Sequence, residues 1–267
     1  MTHSVDIGLF TDPHYAPIQY MDRYCVDSLA KMADCVARFN TAEVGLMIGL
    51  GDLVDKADTK DDERRYLQQA GAVLADFRGE RRLVLGNHDV TTLSKAEFLA
   101  DCGIPGAEAY GSFDYCGLHV VILDSLCHED GSDCDSGDFE WNHCWVSQAQ
   151  LDWLAADLAA AGDRMTLVFC HVNLEDDGDE SHRLENAAEV RAVLEAAGTV
   201  RAVFQGHYHP GRLATVNGIP YVTLRAMVTG PGLENTACAV VTVHPDGRID
   251  LRGHGQQPSL SLPAPTP

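Results

Sequence analysis

Short apolar runs, each closing on a glycine or a polar cluster, constrain this chain most: residues 5–10, 44–50, 82–85, 119–123, 166–170, 200–204 and 221–224. Rich in Val, Ile and Leu and too short for helices, they read as strands buried on both faces, where no polar face is left to alternate with. Helical spacing fills several gaps between them. Tyr24, Cys25, Leu29, Met32, Val36 and Phe39 share one helix face, and Leu151, Leu154 and Leu158 follow Ser147, a candidate N-cap. From 215 to 251, Asn217-Gly218 and Pro245-Asp246-Gly247 are turn signals between strand-like runs and predict antiparallel hairpins. The pattern predicts one domain over residues 1–255, of the α/β (α+β) class, with sheets covered by helices. The Pro/Ser-rich tail 256–267 is expected to be poorly ordered, and the acidic stretches 127–142 and 175–181 to be surface loops.

Charge narrows the partners. With 40 acidic against 19 basic residues, the formal charge is −21, and no Lys/Arg-rich run offers a footprint for a nucleic acid or an anionic membrane. A small phosphorylated substrate stays compatible, because bound divalent cations reverse the local potential. The start of the chain has no basic leader, and no apolar segment approaches the roughly 20 residues that span a bilayer, so a cytoplasmic protein is expected. Nine cysteines, an odd number spread from Cys25 to Cys238, predict reduced and mostly buried thiols.

Five motifs stand where apolar runs end: Asp12-Pro13-His14, Gly51-Asp52-Leu53-Val54-Asp55, Gly86-Asn87-His88-Asp89, His171, and Gly206-His207-Tyr208-His209. Strand ends are rigid, so side chains on the loops just beyond them can converge. Carboxylates with neutral imidazoles suit Mn, Fe, Zn or Co. A short carboxylate such as Asp52 can bridge two cations and reduce their repulsion. Taken singly, each motif is ordinary: a helix cap, a turn, an Asn in a left-handed bend, a core histidine. Five in order, each behind a strand-like run, are not explained by turn chemistry.

In this order, DPH, GDLVD, GNHD, H and GHYH resemble the signature of the calcineurin-like metallophosphoesterases, from Asp12 to His209. The resemblance implies a four-layer αββα sandwich, two mixed β-sheets flanked by helices. It implies two divalent metal ions, Mn, Fe or Zn in any mixture. Asp12, His14 and His209 would bind the first, Asn87, His171 and His207 the second, with Asp52 shared. His88 matches the catalytic histidine, Asp89 would orient it, and Asp55 would stand behind the ligands. Residues 23–29, 146–154 and 251–255 are further similar to one branch, the manganese-dependent ADP-ribose/CDP-alcohol diphosphatases.

Two adjacent cations lower the pKa of a water they share and stabilise in-line displacement at phosphorus. The expected function is therefore hydrolysis of a small, nucleotide-like phosphodiester or diphosphate. A phosphomonoesterase, a cyclic nucleotide phosphodiesterase and an inactive scaffold are the alternatives. Tyr15 and Trp141 are candidate substrate contacts, able to stack on a nucleobase. Residues 127–144 read as a solvated acidic loop that can serve as a lid over the site; a further zinc on Cys127, His128, Cys134, His143 and Cys144 is the weaker alternative, because their spacing matches no standard site.

Overall fold

A computed structural model describes residues 1–134, 140–175 and 180–265. The expected loops 127–142 and 175–181 therefore lie partly outside the described residues, as does the end of the tail. The chain runs β1 (Val5–Phe10), α1 (Ser28–Thr41), β2 (Leu46–Gly49), α2 (Lys60–Leu74), β3 (Glu80–Leu83), α3 (Lys95–Asp101), β4 (Gly111–Tyr115), β5 (Leu118–Ile122) and α4 (Gln148–Ala161). It continues with β6 (Thr166–Phe169), α5 (Ala187–Ala197), β7 (Val200–Gln205), β8 (Arg212–Val216), β9 (Ile219–Thr223), β10 (Ala237–Val243), β11 (Ile249–Gly255) and β12 (Leu260–Leu262).

Two six-stranded sheets result, in the orders β12-β11-β10-β1-β2-β3 and β4-β5-β6-β7-β9-β8. Both are mixed. β1, β2 and β3 are parallel neighbours, as are β5, β6, β7 and β9, while β10, β11 and β12 and the outer strands β4 and β8 pair antiparallel. Period-two alternation sorts their side chains. Ile7, Leu9, Leu46, Ile48, Val120, Leu167, Phe169, Ala202, Phe204, Ala239 and Val241 fill the space between the sheets. Phe10, Met47, Val121, Val168, Val203 and Val240 face outward and are covered by Met32, Val36 and Phe39 of α1, Leu67 and Leu74 of α2, and residues of α4 and α5. The central strands β1, β2, β5, β6, β7, β9 and β10 are buried on both sides, which is why they read as apolar runs and why the sandwich has four layers.

Local chemistry fixes the ends of the elements. Ser147 caps α4, its hydroxyl accepting from Gln150 N at 3.3 Å, and Thr59 caps α2 in the same way above an acidic first turn. Asn217 (φ 49°) and Gly218 (φ 87°) give the β8–β9 hairpin its two-residue turn, with both residues left-handed as the strand twist requires. At Gly8 a Cβ would lie 2.6 Å from the Phe39 ring, so glycine lets α1 settle onto β1. All nine cysteines are free, and all but Cys116 are buried.

Most strands lie within two residues of the expected ranges, and two boundaries depart furthest. The strand expected at 82–85 is Glu80–Leu83, two residues earlier: Arg81 and Arg82 pair with Met47 and Ile48, and the more apolar Val84 and Leu85 lead out of it. The tail expected to be disordered from 256 instead adds β12 to the sheet edge. Leu262 is buried and Leu260 packs on the inter-sheet core, so these two leucines anchor a segment whose composition otherwise reads as loose. Among the described residues no helix is long and apolar enough to cross a membrane.

Candidate metal centre

The carboxyl ends of five parallel strands, β1, β2 and β3 from one sheet and β6 and β7 from the other, open onto the same point. Asp12 follows β1, Asp52 follows β2, Asn87 follows β3, His171 follows β6 and His207 follows β7. Reaching the centre demands sharp exits from the strands. Asp12 (φ 50°), His14 (φ 46°), Asp52 (φ 55°) and His207 (φ 68°) all take the left-handed conformation, as does Gly51 (φ 99°). Each non-glycine residue held there costs about 1–3 kcal/mol, and such strain gathers at functional sites.

The expected ligands meet in two groups. In the first, His14 Nε2 lies 3.5 Å from Asp12 Oδ1 and 3.2 Å from His209 Nε2, and His209 Nε2 is 3.6 Å from Asp12 Oδ1. In the second, His171 Nε2 is 3.0 Å from Asn87 Oδ1 and 3.4 Å from Asp52 Oδ2, and Asp52, His171 and His207 offer three converging donors. Asp52 Oδ2 is also 3.3 Å from His14 Nε2, so this carboxylate stands between the two groups. His171 Nδ1 donates to Leu50 O at 2.7 Å, which orients the ring and turns Nε2 toward Asn87 and Asp52.

Whether cations fit can be read from what these atoms lack. Among the described residues, Asp12 Oδ1 and His207 Nε2 are buried with no hydrogen-bond partner, and both residues belong to the converging groups. A buried orphan acceptor is costly unless something positive satisfies it. Burial pushes Asp52 upward, but the charges of His171, His88 and His14 outweigh it and hold the carboxyl well below its usual range. Burial drives His207 well below the ordinary imidazole value, so it is neutral, the form that coordinates. The donor set fits divalent cations.

The structure reassigns the residues around His88. Its Nδ1 bonds Asp55 Oδ1 at 2.7 Å, and its backbone N–H donates to Asp52 Oδ1 at 2.7 Å. Burial lowers the His88 pKa, yet the Asp52 charge and the Asp55 bond together raise it above the ordinary value. Asp89, expected to orient His88, does something else. It is fully buried and accepts four backbone N–H bonds: Gly86 and Asp52 at 2.9 Å, Leu53 at 2.8 Å and Val54 at 3.3 Å. Asp89 ties the Asp52 loop to the Asn87 loop, and Asp55 is the partner of the histidine.

Tyr15 is likewise corrected as a substrate contact. Its N–H donates to Leu53 O at 3.1 Å and it bridges to Val54, which turns the ring into the core against Tyr66, with the hydroxyl donating to Gln69 at 2.8 Å. Trp141, 45% exposed, does reach the centre: its ring lies 5.8 Å from His207 and 5.3 Å from His182. His182 in turn stands 5.2 Å from His207 and 5.2 Å from Tyr208. Cys127, His128, Cys134, His143 and Cys144 do not gather into one site. His143 turns to Glu185, and Cys127 lies beside Asp124 and Asp133, where the Lys95 ammonium sits 2.6 Å and 2.7 Å from the two carboxylates.

The motifs assign no role to Arg23, which opens the 23–29 stretch, or to His182. Arg23 Nη2 is 3.0 Å from His14 Nε2 and 3.5 Å from His88 Nε2, and Nη1 is 3.6 Å from Asp55, so the guanidinium caps the open side of the centre. Neither residue adjoins a ligand in sequence.

Residues 5–211 match the calcineurin-like phosphoesterase family. The chain belongs to that family. Over 203 residues it is 27% identical to the bovine serine/threonine-protein phosphatase CPPED1, a match covering 72% of this chain and 62% of that protein. It is 28% identical over 210 residues to a probable cyclic nucleotide phosphodiesterase of Fibrobacter succinogenes, covering 76% and 72% of the two chains. With the Escherichia coli K12 cyclic AMP phosphodiesterase CpdA it shares 29% over 170 residues, 62% of this chain and 55% of that one. The chain thus spans under two thirds of the bovine relative and about half of CpdA. A dimetal phosphatase from Danio rerio has the same fold, with a TM-score of 0.84 at 22% identity over 98% of this chain and 99% of that one.

Proposed function

We propose that the protein is a phosphohydrolase dependent on two divalent metals, cleaving a small, nucleotide-like phosphodiester or diphosphate. The observation that carries this is the convergence of Asp12, His14 and His209, and of His171, His207 and Asn87, about Asp52, with Asp12 Oδ1 and His207 Nε2 buried and unsatisfied among the described residues. Asp12, His14 and His209 would hold one cation, Asn87, His171 and His207 the other, and Asp52 would touch both. Manganese, iron and zinc all suit this donor set. When bound, the pair supplies Lewis acidity and an activated water.

The remaining steps belong to the chain itself. Asp55 holds the His88 ring by Nδ1, leaving Nε2 on the open side, where a protonated imidazole can donate to the departing oxygen. Arg23 supplies a fixed positive charge on the same side, suited to non-bridging phosphoryl oxygens. Trp141, His182 and Tyr208 form an aromatic edge beside His207 on which a base can stack, and this favours a nucleotide-like substrate.

The test is element analysis of the purified protein, then assay in added Mn against bis-p-nitrophenyl phosphate, p-nitrophenyl phosphate, cyclic AMP, ADP-ribose and CDP-choline. Two metals per chain and kcat/KM higher on diesters or diphosphates are expected. Equal kcat/KM on monoester and diester refutes the diester preference. No turnover with both metals present points to an inactive scaffold.

A further inference from the structure

The segment after β9 places no side chain among the metal donors, yet its backbone touches the loops that carry them. Ala226 N–H donates to His209 O, Met227 N–H to Thr11 O and Val228 N–H to Asp12 O, each at 3.0 Å. In the other direction Val228 O accepts from Tyr24 N–H at 2.9 Å, and Thr229 forms a bridge with Arg23. Residues 226–229 are therefore a strap across three things at once: the Asp12 loop, the His209 loop and the loop that brings Arg23 to the open side.

Lys31 holds that strap. It lies on α1, which contributes no metal donor, and is 0% exposed. Its Nζ donates to Met227 O at 2.9 Å, Gly230 O at 2.6 Å and Thr229 O at 3.3 Å, so all three ammonium protons are used on one bend of backbone. A buried ammonium is expensive, and a Met of similar length would fill the same volume without that cost. What Met cannot do is draw three carbonyl oxygens, which repel one another, onto a single point.

We propose that Lys31 is a positioning residue for the metal position formed by Asp12, His14 and His209, acting through the strap it gathers. The inference rests on the two-metal reading above. Lys31→Met should leave a folded protein in which the bend opens, Val228 and Ala226 lose their grip on Asp12 and His209, and one of two metal positions weakens. Outer partners of this kind are worth about 10–100-fold in metal affinity.

The experiment titrates metal-free protein with Mn2+, following free Mn2+ by electron paramagnetic resonance, for wild type, K31M, K31R, H209A and K31M/H209A, with thermal unfolding of each metal-free protein alongside. Wild type should bind two ions. K31M should keep one position within about twofold and lose at least tenfold at the other, K31R should recover part of the loss, and K31M should add nothing to H209A, because both act on one position. Unchanged affinity at both positions in K31M, whatever its melting temperature, overturns the proposal and leaves Lys31 a packing residue. If K31M does not fold, K31Q is titrated in its place, and equal affinities there overturn it too. Fewer than two ions on wild type overturns the two-metal reading itself, so the two failures are distinct.

Discussion

Asp89→Asn separates a structural carboxylate from a catalytic one. The change keeps the shape of the side chain and removes one acceptor atom. In the native protein Oδ2 accepts from Gly86 N and Asp52 N, both at 2.9 Å, while Oδ1 accepts from Leu53 N and Val54 N. Whichever way the Asn amide turns, its NH2 faces two backbone N–H donors inside a fully buried site. Each buried donor left without an acceptor costs about 1–3 kcal/mol, so D89N should destabilise by about 2–6 kcal/mol. For a chain of this size that lowers Tm by roughly 5–20 °C. Because the donors lost belong to the Asp52 loop and to Gly86 beside Asn87, metal content should fall with stability. Differential scanning calorimetry and element analysis on the same samples read both quantities. A D89N protein with native Tm, two metals and only kcat reduced would refute this reasoning and return Asp89 to the role of orienting His88.

His88→Ala should lower kcat by about 10²–10⁴-fold with both metals retained, as expected for loss of a general acid; metal loss in parallel with activity would make His88 structural. Asp55→Asn should reproduce a weaker form of the same loss, with normal Tm, in steady-state kinetics. Arg23→Ala should raise KM about 10–100-fold, the worth of charge-assisted bonds to a phosphoryl group, with metal content unchanged by element analysis. Gly8→Ala should destabilise by about 1–3 kcal/mol in denaturant unfolding, because its methyl would meet the Phe39 ring at 2.6 Å.

The layers of the fold were legible because both faces of each central strand are covered, which leaves an apolar run in the sequence. The outer strand β4, GSFDY, carries no such run, and only its pairing with β5 makes it a strand. The residues that converge on the centre were legible because they sit at strand ends. The relation of Asp55 and Asp89 to His88 was not, since chain adjacency favours Asp89 while the bend at Asp52 delivers Asp55. Tyr15 failed as a substrate contact for a similar reason: nearness to His14 in sequence says nothing of which way a residue paired to Leu53 must point. Arg23 and His182 reach the centre, and Lys31 the strap behind it, only through tertiary packing, and nothing local in the sequence assigns any of them a role.

Asp12, His14, Asp52 and Asn87 hang from one sheet; His171, His207 and His209 hang from the other. The seam that fixes how far apart these two halves stand is the apolar filling of Ile48, Phe169, Phe204 and their neighbours, well behind the chemistry. That filling acts as a spacer gauge. Trimming or swelling it by a methylene should slide one half of the cage past the other, so metal preference and rate could drift through changes that never touch a donor.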